Sequence, residues 1–319
     1  MEVDMLDRQV IQALRINGRA GFREIGAVLG VSDQTVARRY RRLREHAGVR
    51  VVASPNAIAL GYEMWMIRLR TTPDAAATIA DALARRDDTG WVSLTSGGTE
   101  IACNVRLPAA ADRDALLLSK LPRTPRLVSV SAHCMIHLFA GGAVGPDRLD
   151  PVLSPAQSAA LAPPPGSGRP AVLTDADQPL VDALSHDGRR GYADLAGATG
   201  WPESTVRRRL AELVDTGAIF FDVEVDPDSV GFRGRALLWL SVAPARLAAV
   251  GAALAAHEEI VFAAATTGPT NVVATVVCRD MPDLYRYLTE RIGPLDGVER
   301  VETAPMVRHV KQVGAVRRH

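Results

Sequence analysis

Residues 30–43 read GVSDQTVARRYRRL, and this stretch predicts the turn and the second helix of a helix-turn-helix. Gly30 is the kind of residue that ends a helix, and Ser32 stands where the N-cap of the next helix belongs. Beyond Ser32, the apolar residues recur at helical spacing as Val36, Tyr40 and Leu43. Two shorter helical patterns precede this stretch, so the sequence predicts a three-helix unit.

The third helix of this unit is strongly basic. Between Asp33 and Arg44 it carries five arginines and one acidic residue. A helix in the major groove needs polar side chains near its N-terminus for base edges and arginines for guanines and phosphates. The residues predicted to contact DNA are therefore Ser32, Asp33, Gln34, Thr35, Arg38, Arg39, Arg41 and Arg42. The alternative is a charged helix face that contacts only solvent.

The chain repeats itself. A shift of 170 residues aligns the first helix-turn-helix with a second one, pairing Leu14 with Leu184 and Thr35-Val36 with Thr205-Val206. In the second copy Pro202 replaces the capping Ser32, and the net charge of the third helix is lower. Its predicted DNA contacts are Ser204, Thr205, Arg207, Arg208 and Arg209. Either the second copy reads an unlike and weaker half-site, or it is a structural helix-turn-helix that does not bind DNA.

The second half of each repeat alternates strand and helix patterns in the order β-α-β-β-α-β. In the first repeat the pattern begins at residues 64–70 and ends at residues 127–131; in the second it begins at residues 236–242 and ends at residues 298–303. This order is typical of a ferredoxin-like fold, in which helices cover one face of the sheet. The other face must be buried as well, and we expect the two copies to cover each other.

The fold class predicted is therefore α+β, with two copies of a winged helix-turn-helix followed by a ferredoxin-like βαββαβ (ACT-like) domain. The domain ranges predicted are 1–50 and 174–220 for the helix-turn-helix domains and 51–140 and 221–319 for the ferredoxin-like domains. Residues 141–173 are rich in proline and glycine and are predicted to be a linker, with one short helix near residues 155–161.

Composition sets limits on function. The 319 residues carry a net charge of +1, so the whole-chain charge indicates no partner. Three cysteines without a CxxC pair predict no disulfide framework, and acidic residues near the N-terminus argue against a signal peptide. No apolar stretch approaches the ~20 residues of a membrane span. We therefore expect a cytoplasmic protein with no membrane partner.

Metal and catalytic motifs are weak. The stretch His133-Cys134-Met135-Ile136-His137 contains ligand types, but a strand would place Cys134 on the opposite face from both histidines. Ser96-Gly97-Gly98-Thr99 is not followed by the Gly-Lys-Ser/Thr of a phosphate loop. We expect no catalytic residue, no cofactor and no metal.

The chain resembles the leucine-responsive and asparagine regulator (Lrp/AsnC) family of transcription factors. The motifs that carry the resemblance are Leu6-Asp7, Asn17-Gly18-Arg19, Gly30-Val31-Ser32, residues 279–285, Pro294-Leu295-Asp296-Gly297-Val298 and Val310-Lys311-Gln312. The resemblance implies a double-stranded-DNA-binding regulator modulated by an amino-acid-like effector. It also implies that each ferredoxin-like domain is an effector and dimerisation domain. The chain resembles two members fused into an intramolecular pseudo-dimer, and the fused chains are expected to form further homo-oligomers.

The resemblance also suggests an effector site, at the turn between the second and third strands of each ferredoxin-like domain. The residues predicted there are Ser96, Gly97, Gly98, Thr99 and Glu100 in the first copy and Thr266, Thr267, Gly268, Thr270 and Asn271 in the second. The family's two acidic residues are missing in both copies. The turns are thus either effector sites of altered specificity or plain hairpin turns.

Two other function classes stay open. Siroheme decarboxylases resemble this family in fold and are enzymes, but their Tyr, Arg and His cluster around the middle hairpin is missing here. A ligand-sensing protein that does not bind DNA is the third alternative.

Overall fold

The computed structural model describes residues 3–107, 113–144 and 151–312. The chain forms two compact units, one from Met1–Leu60 and Asp150–Gly231 and the other from Gly61–Leu149 and Phe232–His319. Each unit thus takes one piece from each repeat. The four domain ranges and the linker range predicted from the sequence are narrower than these units and stay a prediction.

In chain order, the helices and strands are α1 (Met5–Ile16), α2 (Phe22–Leu29), α3 (Asp33–Ala47), β1 (Arg50–Pro55), β2 (Glu63–Thr71), α4 (Ala76–Ala84), β3 (Thr89–Thr95), β4 (Glu100–Leu107), β5 (Leu127–Ala140), α5 (Pro155–Leu161), α6 (Gln178–His186), α7 (Tyr192–Thr199), α8 (Glu203–Asp215), β6 (Ile219–Glu224), β7 (Gly234–Val242), α9 (Leu247–Ala256), β8 (Ile260–Thr266), β9 (Val272–Cys278), α10 (Met281–Arg286) and β10 (Val298–Lys311). Two π-helical segments, Ala115–Lys120 and Tyr287–Ile292, precede β5 and β10.

The first unit holds both helix-turn-helix motifs, and its helix ends follow local chemistry. The Asp4 carboxylate accepts a hydrogen bond from the Asp7 N–H at 2.9 Å and caps α1. Gly30 ends α2 with a φ of +70°, a conformation that glycine adopts without strain. Ser32 caps α3 by accepting from the Thr35 N–H at 3.2 Å. The predicted three-helix pattern and its caps are confirmed.

Strands β1 and β6 join the two motifs. They pair antiparallel with Val52 opposite Asp222, which are equivalent positions of the two repeats. Each strand contributes to the neighbouring motif: Val223 is buried with α1 and α3, and Ala53 is buried with α6 and α8. The strand after each helix-turn-helix therefore completes a core that belongs to both repeats.

A symmetric pair of arginines strengthens this junction. Arg19 donates a hydrogen bond to the carbonyl of Gly188 at 2.7 Å, and Arg189 donates to the carbonyl of Gly18 at 2.7 Å. The Arg189 guanidinium also lies over the Phe22 ring, 4.6 Å from its centroid.

The segment predicted as a linker packs on the first unit. The predicted short helix is confirmed as α5, whose Leu161 is fully buried among the residues of the first motif. Gln157 donates to the carbonyl of Val28 at 3.1 Å. Farther along, the Ser167 N–H donates to the carbonyl of Asp215, at the end of α8, at 2.9 Å.

The second unit consists of two four-stranded sheets with the same strand order. They run β3-β4-β2-β5 and β8-β9-β7-β10, each the order of the predicted ferredoxin-like fold. Strands β5 and β10, with 14 residues each, continue beyond their own sheets and pair with β8 and β3. The eight strands therefore close into a ring without a free edge.

The two sheets bury each other, as predicted. Met66 and Ala102 of the first sheet lie against Leu237, Trp239 and Ala264 of the second.

The final strands were predicted to end at residues 131 and 303, whereas the structure extends them to 140 and 311. They are longer because their second halves pair with the opposite sheet, a long-range contact that local alternation cannot indicate. The second helix expected in the βαββαβ order of the first repeat falls between β4 and β5, where the structure describes the chain from residue 113 onward.

The register corrects the alignment of the repeats by one residue in this unit. Leu69 pairs with Ile101, and Leu240 pairs with Val272 in the same way, which makes the offset 171 here. Glu100 is therefore equivalent to Asn271, and not to Thr270 as the ungapped alignment implies. None of the helices in the described ranges has the length and apolar character needed to cross a bilayer.

Candidate nucleic-acid interface and effector turns

The exposed face of α3 begins at its N-terminus. Asp33, Gln34, Arg38 and Arg41 are exposed, whereas Thr35 is half-buried and its hydroxyl lies 2.9 Å from that of Ser32. Within the described residues, Arg38 and Arg41 form no ion pair. Their guanidinium groups can therefore reach a phosphate or a guanine without breaking an internal contact.

Two other arginines of α3 contact acidic residues of α1. Arg39 donates to Asp4 and, at 3.3 Å, to Asp7, and Arg42 donates to the same fully buried Asp7. The hydrogen bond to Asp4 raises the pKa of Arg39. These two predicted DNA contacts therefore hold the recognition helix against α1.

The second motif repeats this ion pair. Arg209 Nε and Nη2 each donate to Asp177 at 2.7 Å, and Asp177 is almost fully buried. Burial opposes ionisation of Asp177, but the hydrogen bonds from Arg209 and Thr174 prevail and lower its pKa to about 2. Asp7 and Asp177 are related by the same shift as Arg39 and Arg209. A search of the two repeats for an acidic and a basic residue that recur together could therefore have identified Arg39 and Arg209 as arginines of internal ion pairs.

The remaining residues of α8 offer fewer free charges. Arg207 pairs with Glu203 at 3.1 Å and lies over the Tyr192 ring at 4.1 Å. Arg208, at the position of Arg38, is exposed and forms no ion pair within the described residues. Ser204 is exposed and Thr205 is half-buried at the start of the helix.

The two motifs therefore present different numbers of free arginines. The second and third helices of the first motif expose Arg23, Arg38 and Arg41 without ion pairs in the described chain. The equivalent positions in the second motif are Ala193, Arg208 and Ala211. Since phosphate contacts by arginine dominate DNA affinity, the first motif has the more favourable surface.

The predicted effector turn of the first repeat, residues 96–99, is open. Ser96, Gly97 and Gly98 all have positive φ, and a Cβ added at either glycine would meet no described atom within 4 Å. The Thr99 hydroxyl donates to the carbonyl of Ser96 at 2.9 Å. The last residue of the turn is also fixed to β2, since the Thr71 N–H donates to the Thr99 carbonyl at 3.1 Å.

The predicted effector turn of the second repeat, residues 266–271, is fixed to β5. The Thr267 N–H donates to the carbonyl of Cys134 at 2.9 Å, and the Cys134 N–H donates to the Thr267 hydroxyl at 2.9 Å. His133 Nδ1 lies 2.8 Å from the Thr267 carbonyl, and a Cβ at Gly268 would lie only 2.6 Å from that nitrogen. In addition, the Thr266 hydroxyl donates to the carbonyl of Thr270 at 3.1 Å.

Asn271 completes the second turn. Its side-chain oxygen accepts from the Val242 N–H at 2.8 Å, and its amide donates to the Val242 carbonyl at 2.8 Å. Every polar atom of this side chain is thus used within the fold.

Glu100, the equivalent of Asn271, belongs to a group of charges between the sheets. Arg68 lies 2.8 Å from Glu100 and donates to Glu302 at 3.0 Å, while its guanidinium carbon is 5.2 Å from the centroid of the Trp239 ring. The hydrogen bond from Arg68 lowers the pKa of Glu302. Glu100 is buried and already paired, so it is poorly placed to receive the ammonium group of a ligand.

The histidines of β5 have separate structural contacts. His133 packs against Trp239 with the ring centroids 5.4 Å apart, and His137 packs against Phe139 at 4.7 Å. Among the residues that the structure describes, no group of three metal-ligating side chains comes together.

Family models match both motifs and the last domain. The AsnC-type helix-turn-helix domain matches residues 3–44 and again 173–214, and the Lrp/AsnC ligand binding domain matches residues 235–316.

Curated relatives match slightly less than half of the chain. An uncharacterized HTH-type transcriptional regulator of Pyrococcus horikoshii is 30% identical over 146 residues, which cover 46% of this chain and 92% of that regulator. The HTH-type transcriptional regulator FL11 of Pyrococcus furiosus is 27% identical over 142 residues, or 44% of this chain and 93% of that protein.

A solved structure matches the whole chain in fold. The siroheme decarboxylase NirDL superposes with a TM-score of 0.62 at 12% sequence identity, covering 97% of this chain and 93% of that one. This likeness concerns the fold alone. The family models and the regulators that match over nearly their full length show that the chain belongs to the Lrp/AsnC family of HTH-type transcriptional regulators.

Proposed function

We propose that this chain binds double-stranded DNA sequence-specifically in the cytoplasm, and that it is not an enzyme. The observation that carries the proposal is the exposed face of α3, where the side chains of Gln34, Arg38 and Arg41 form no hydrogen bond or ion pair with the described residues. Arg39 and Arg42 hold this helix in place through their contacts to Asp7, and Arg209 does the same for α8 through Asp177.

We also propose that one chain reads two unlike half-sites. The β1–β6 pair and the Arg19 and Arg189 contacts join the two motifs within one unit, so a single chain carries both. The first motif supplies most of the affinity because its recognition helix carries more unpaired arginines. A footprint in which both motifs bind identical halves of a perfect palindrome equally would contradict this.

The experiment is selection of genomic fragments by the full chain, followed by affinity measurements on the selected site. Arg38→Ala should weaken binding by about 1–3 kcal/mol, the range for a lost base contact. Arg208→Ala, at the matched position of the second motif, should have the smaller effect. Arg123→Ala, an exposed arginine of the second unit, serves as the control and should change nothing.

The salt dependence gives a second measurement. Loss of Arg41 should lower the slope of log affinity against log salt by about one if it contacts a phosphate. Equal retention of all fragments at moderate salt would contradict sequence-specific binding.

The effector domain and the assembly complete the proposal. The match to a ligand-binding domain supports modulation by a small molecule at the predicted turns. We also propose further association of the pseudo-dimeric chains into homo-oligomers, as the resemblance to the Lrp/AsnC family implies. A siroheme-decarboxylase activity is the second candidate, favoured by the whole-chain fold likeness. Conversion of siroheme by the purified chain would decide for it.

A further inference from the structure

The two effector turns have different surroundings, although they occupy equivalent positions of the pseudo-dimer. Each turn lies beside the fourth strand of the other repeat, since Thr95 pairs with Met306 and Thr266 pairs with Met135. The offset of 171 makes Ala304 the equivalent of His133 and Pro305 the equivalent of Cys134. The side chains that fill and fix the second turn are therefore replaced at the first turn.

These replacements open the first turn. At the second turn the His133 ring fills the space beside Gly268, whereas Ala304, its equivalent at the first turn, has only a methyl group. Pro305 has no N–H, so the hydrogen bond that Cys134 donates to Thr267 has no counterpart at Ser96. The second turn has no comparable opening, because the His133 ring and three contacts to Thr267 occupy it.

The charges beside the first turn favour an anion. Arg70 is opposite Glu100 in the strand pair and its side chain is 59% exposed. It approaches Glu100 at 3.6 Å and Glu302 at 3.9 Å, and both distances are too long for hydrogen bonds. Arg300 is exposed on β10, two residues before Glu302, and forms no ion pair in the described ranges.

The same charges disfavour an ammonium group. Glu100 is buried against Arg68, and Glu302 accepts from Arg68 as well. An incoming ammonium would have to displace a guanidinium from a carboxylate that is largely removed from water. Such an exchange leaves a buried charge with fewer partners and is costly.

We propose that the chain binds one small carboxylate ligand, at the first turn only, with Arg70 as the residue that receives the carboxylate, and that the ligand carries no ammonium group. This inference rests on the proposed function, because it assigns the effector class of the regulator. It predicts one ligand per chain, although the chain contains two equivalent turns.

The test is calorimetric titration of the full chain with carboxylates of three to five carbons, arranged in pairs that differ at one carbon. Pyruvate is compared with alanine, succinate with aspartate and 2-oxoglutarate with glutamate. We expect saturable binding of at least one carboxylate with a stoichiometry of one per chain. Its amino counterpart should bind at least about tenfold more weakly.

Variants locate the site. Arg70→Gln should reduce the affinity by about tenfold or more, and Arg70→Lys should restore part of it, since it keeps the charge. Arg85→Gln should bind like the parent chain, because this exposed arginine follows α4 and lies near the start of β3, at the opposite end of that strand from the turn. Thermal melts of all three variants would show that the fold is retained.

Several outcomes would overturn the inference: binding of none of the carboxylates, two ligands per chain, tighter binding of the amino acid, or unchanged binding by Arg70→Gln. The DNA-binding assay on the same preparation separates the two claims. A chain that retains its selected DNA site but binds no carboxylate keeps the proposed function and loses this inference.

Discussion

At the scale of single residues, the arginines of the recognition helices fall into two groups. Arg39 and Arg209 contact acidic residues at the start of the first helix of their motifs, whereas Arg38 and Arg208, one position earlier, extend into solvent. Adjacent residues on a helix differ by about 100° in direction, so one faces α1 or α6 and the other faces away.

The buried ion pair of the second motif gives a prediction about stability. The pKa of Asp177 is about 2, below its ordinary value, so its pairing with Arg209 stabilises the fold above pH 4. We expect this contribution to be lost as the pH falls from about 4 towards 2. Asp177→Asn should remove it at neutral pH, lowering the free energy of unfolding by about 1–3 kcal/mol.

Chemical denaturation at pH 7 and at pH 3 measures both effects. Asp175→Asn changes an exposed carboxylate two residues away and is the matched control. If both variants unfolded at the same denaturant concentration as the parent chain, the stabilising role of Asp177 would be wrong.

The sequence predicts the basic helix but not which of its arginines reach DNA. Helical periodicity places Val36, Tyr40 and Leu43 in the core, and the structure confirms this. The partners of Arg39 lie more than 30 residues earlier in the chain, on another helix. A local sequence pattern contains no information about contacts between residues so far apart in the chain. It therefore does not distinguish the arginines of internal ion pairs from the exposed ones.

At the scale of elements, the β1–β6 pair depends on close contacts at two glycines. A Cβ at Gly18 would lie 2.8 Å from both Phe221 Cβ and Val51 Cγ1, and one at Gly188 would lie 3.0 Å from Phe221 Cδ1. These glycines end the first helix region of each motif and also let the strands approach.

Gly18→Ala should therefore destabilise the first unit by about 1–3 kcal/mol through overpacking. Gly197→Ala is the matched control, because a Cβ at that position in α7 meets no described atom within 4 Å. It should be neutral or stabilising by up to about 1 kcal/mol. Thermal melts compare the two, and equal melting temperatures would contradict the close contact.

Elements that depend on local patterns were predictable, and elements that depend on distant pairing were not. Helices α1 to α3 and α6 to α8 follow from periodicity, and the strand order of each sheet follows from the fold that the β-α-β-β-α-β succession indicates. Strands β1 and β6 are short, and each finds its partner in the other repeat. The second halves of β5 and β10 begin after irregular registers near Met135 and Met306, where the alternation of the sequence is broken.

At the scale of the whole molecule, the repeats are interlocked in both units. Strand β6 supplies residues to the core beside α1, and β10 covers the edge of β3. Neither repeat can bury its own apolar surface without the other.

Residues 1–170 expressed alone should therefore not remain monomeric. Without the second repeat, β1 loses β6, and the second half of β5 loses β8. We expect a homodimer that restores the pairings, or an aggregated chain, since unpaired strand edges associate. Light scattering after gel filtration gives the mass. A stable, folded monomer of this fragment would contradict the interlocked architecture.

The stacking of Arg68 on Trp239 carries a further consequence. These residues occupy equivalent positions, since Arg68 pairs with Ser131 and Trp239 pairs with Glu302 in matching registers. In an assembly of two identical chains, such a position on the symmetry axis always meets its own copy, so an arginine would face an arginine. A single gene that encodes both halves permits a cation on one side and an aromatic ring on the other. The covalent link thus makes available a class of complementary contacts that identical subunits cannot form on their axis.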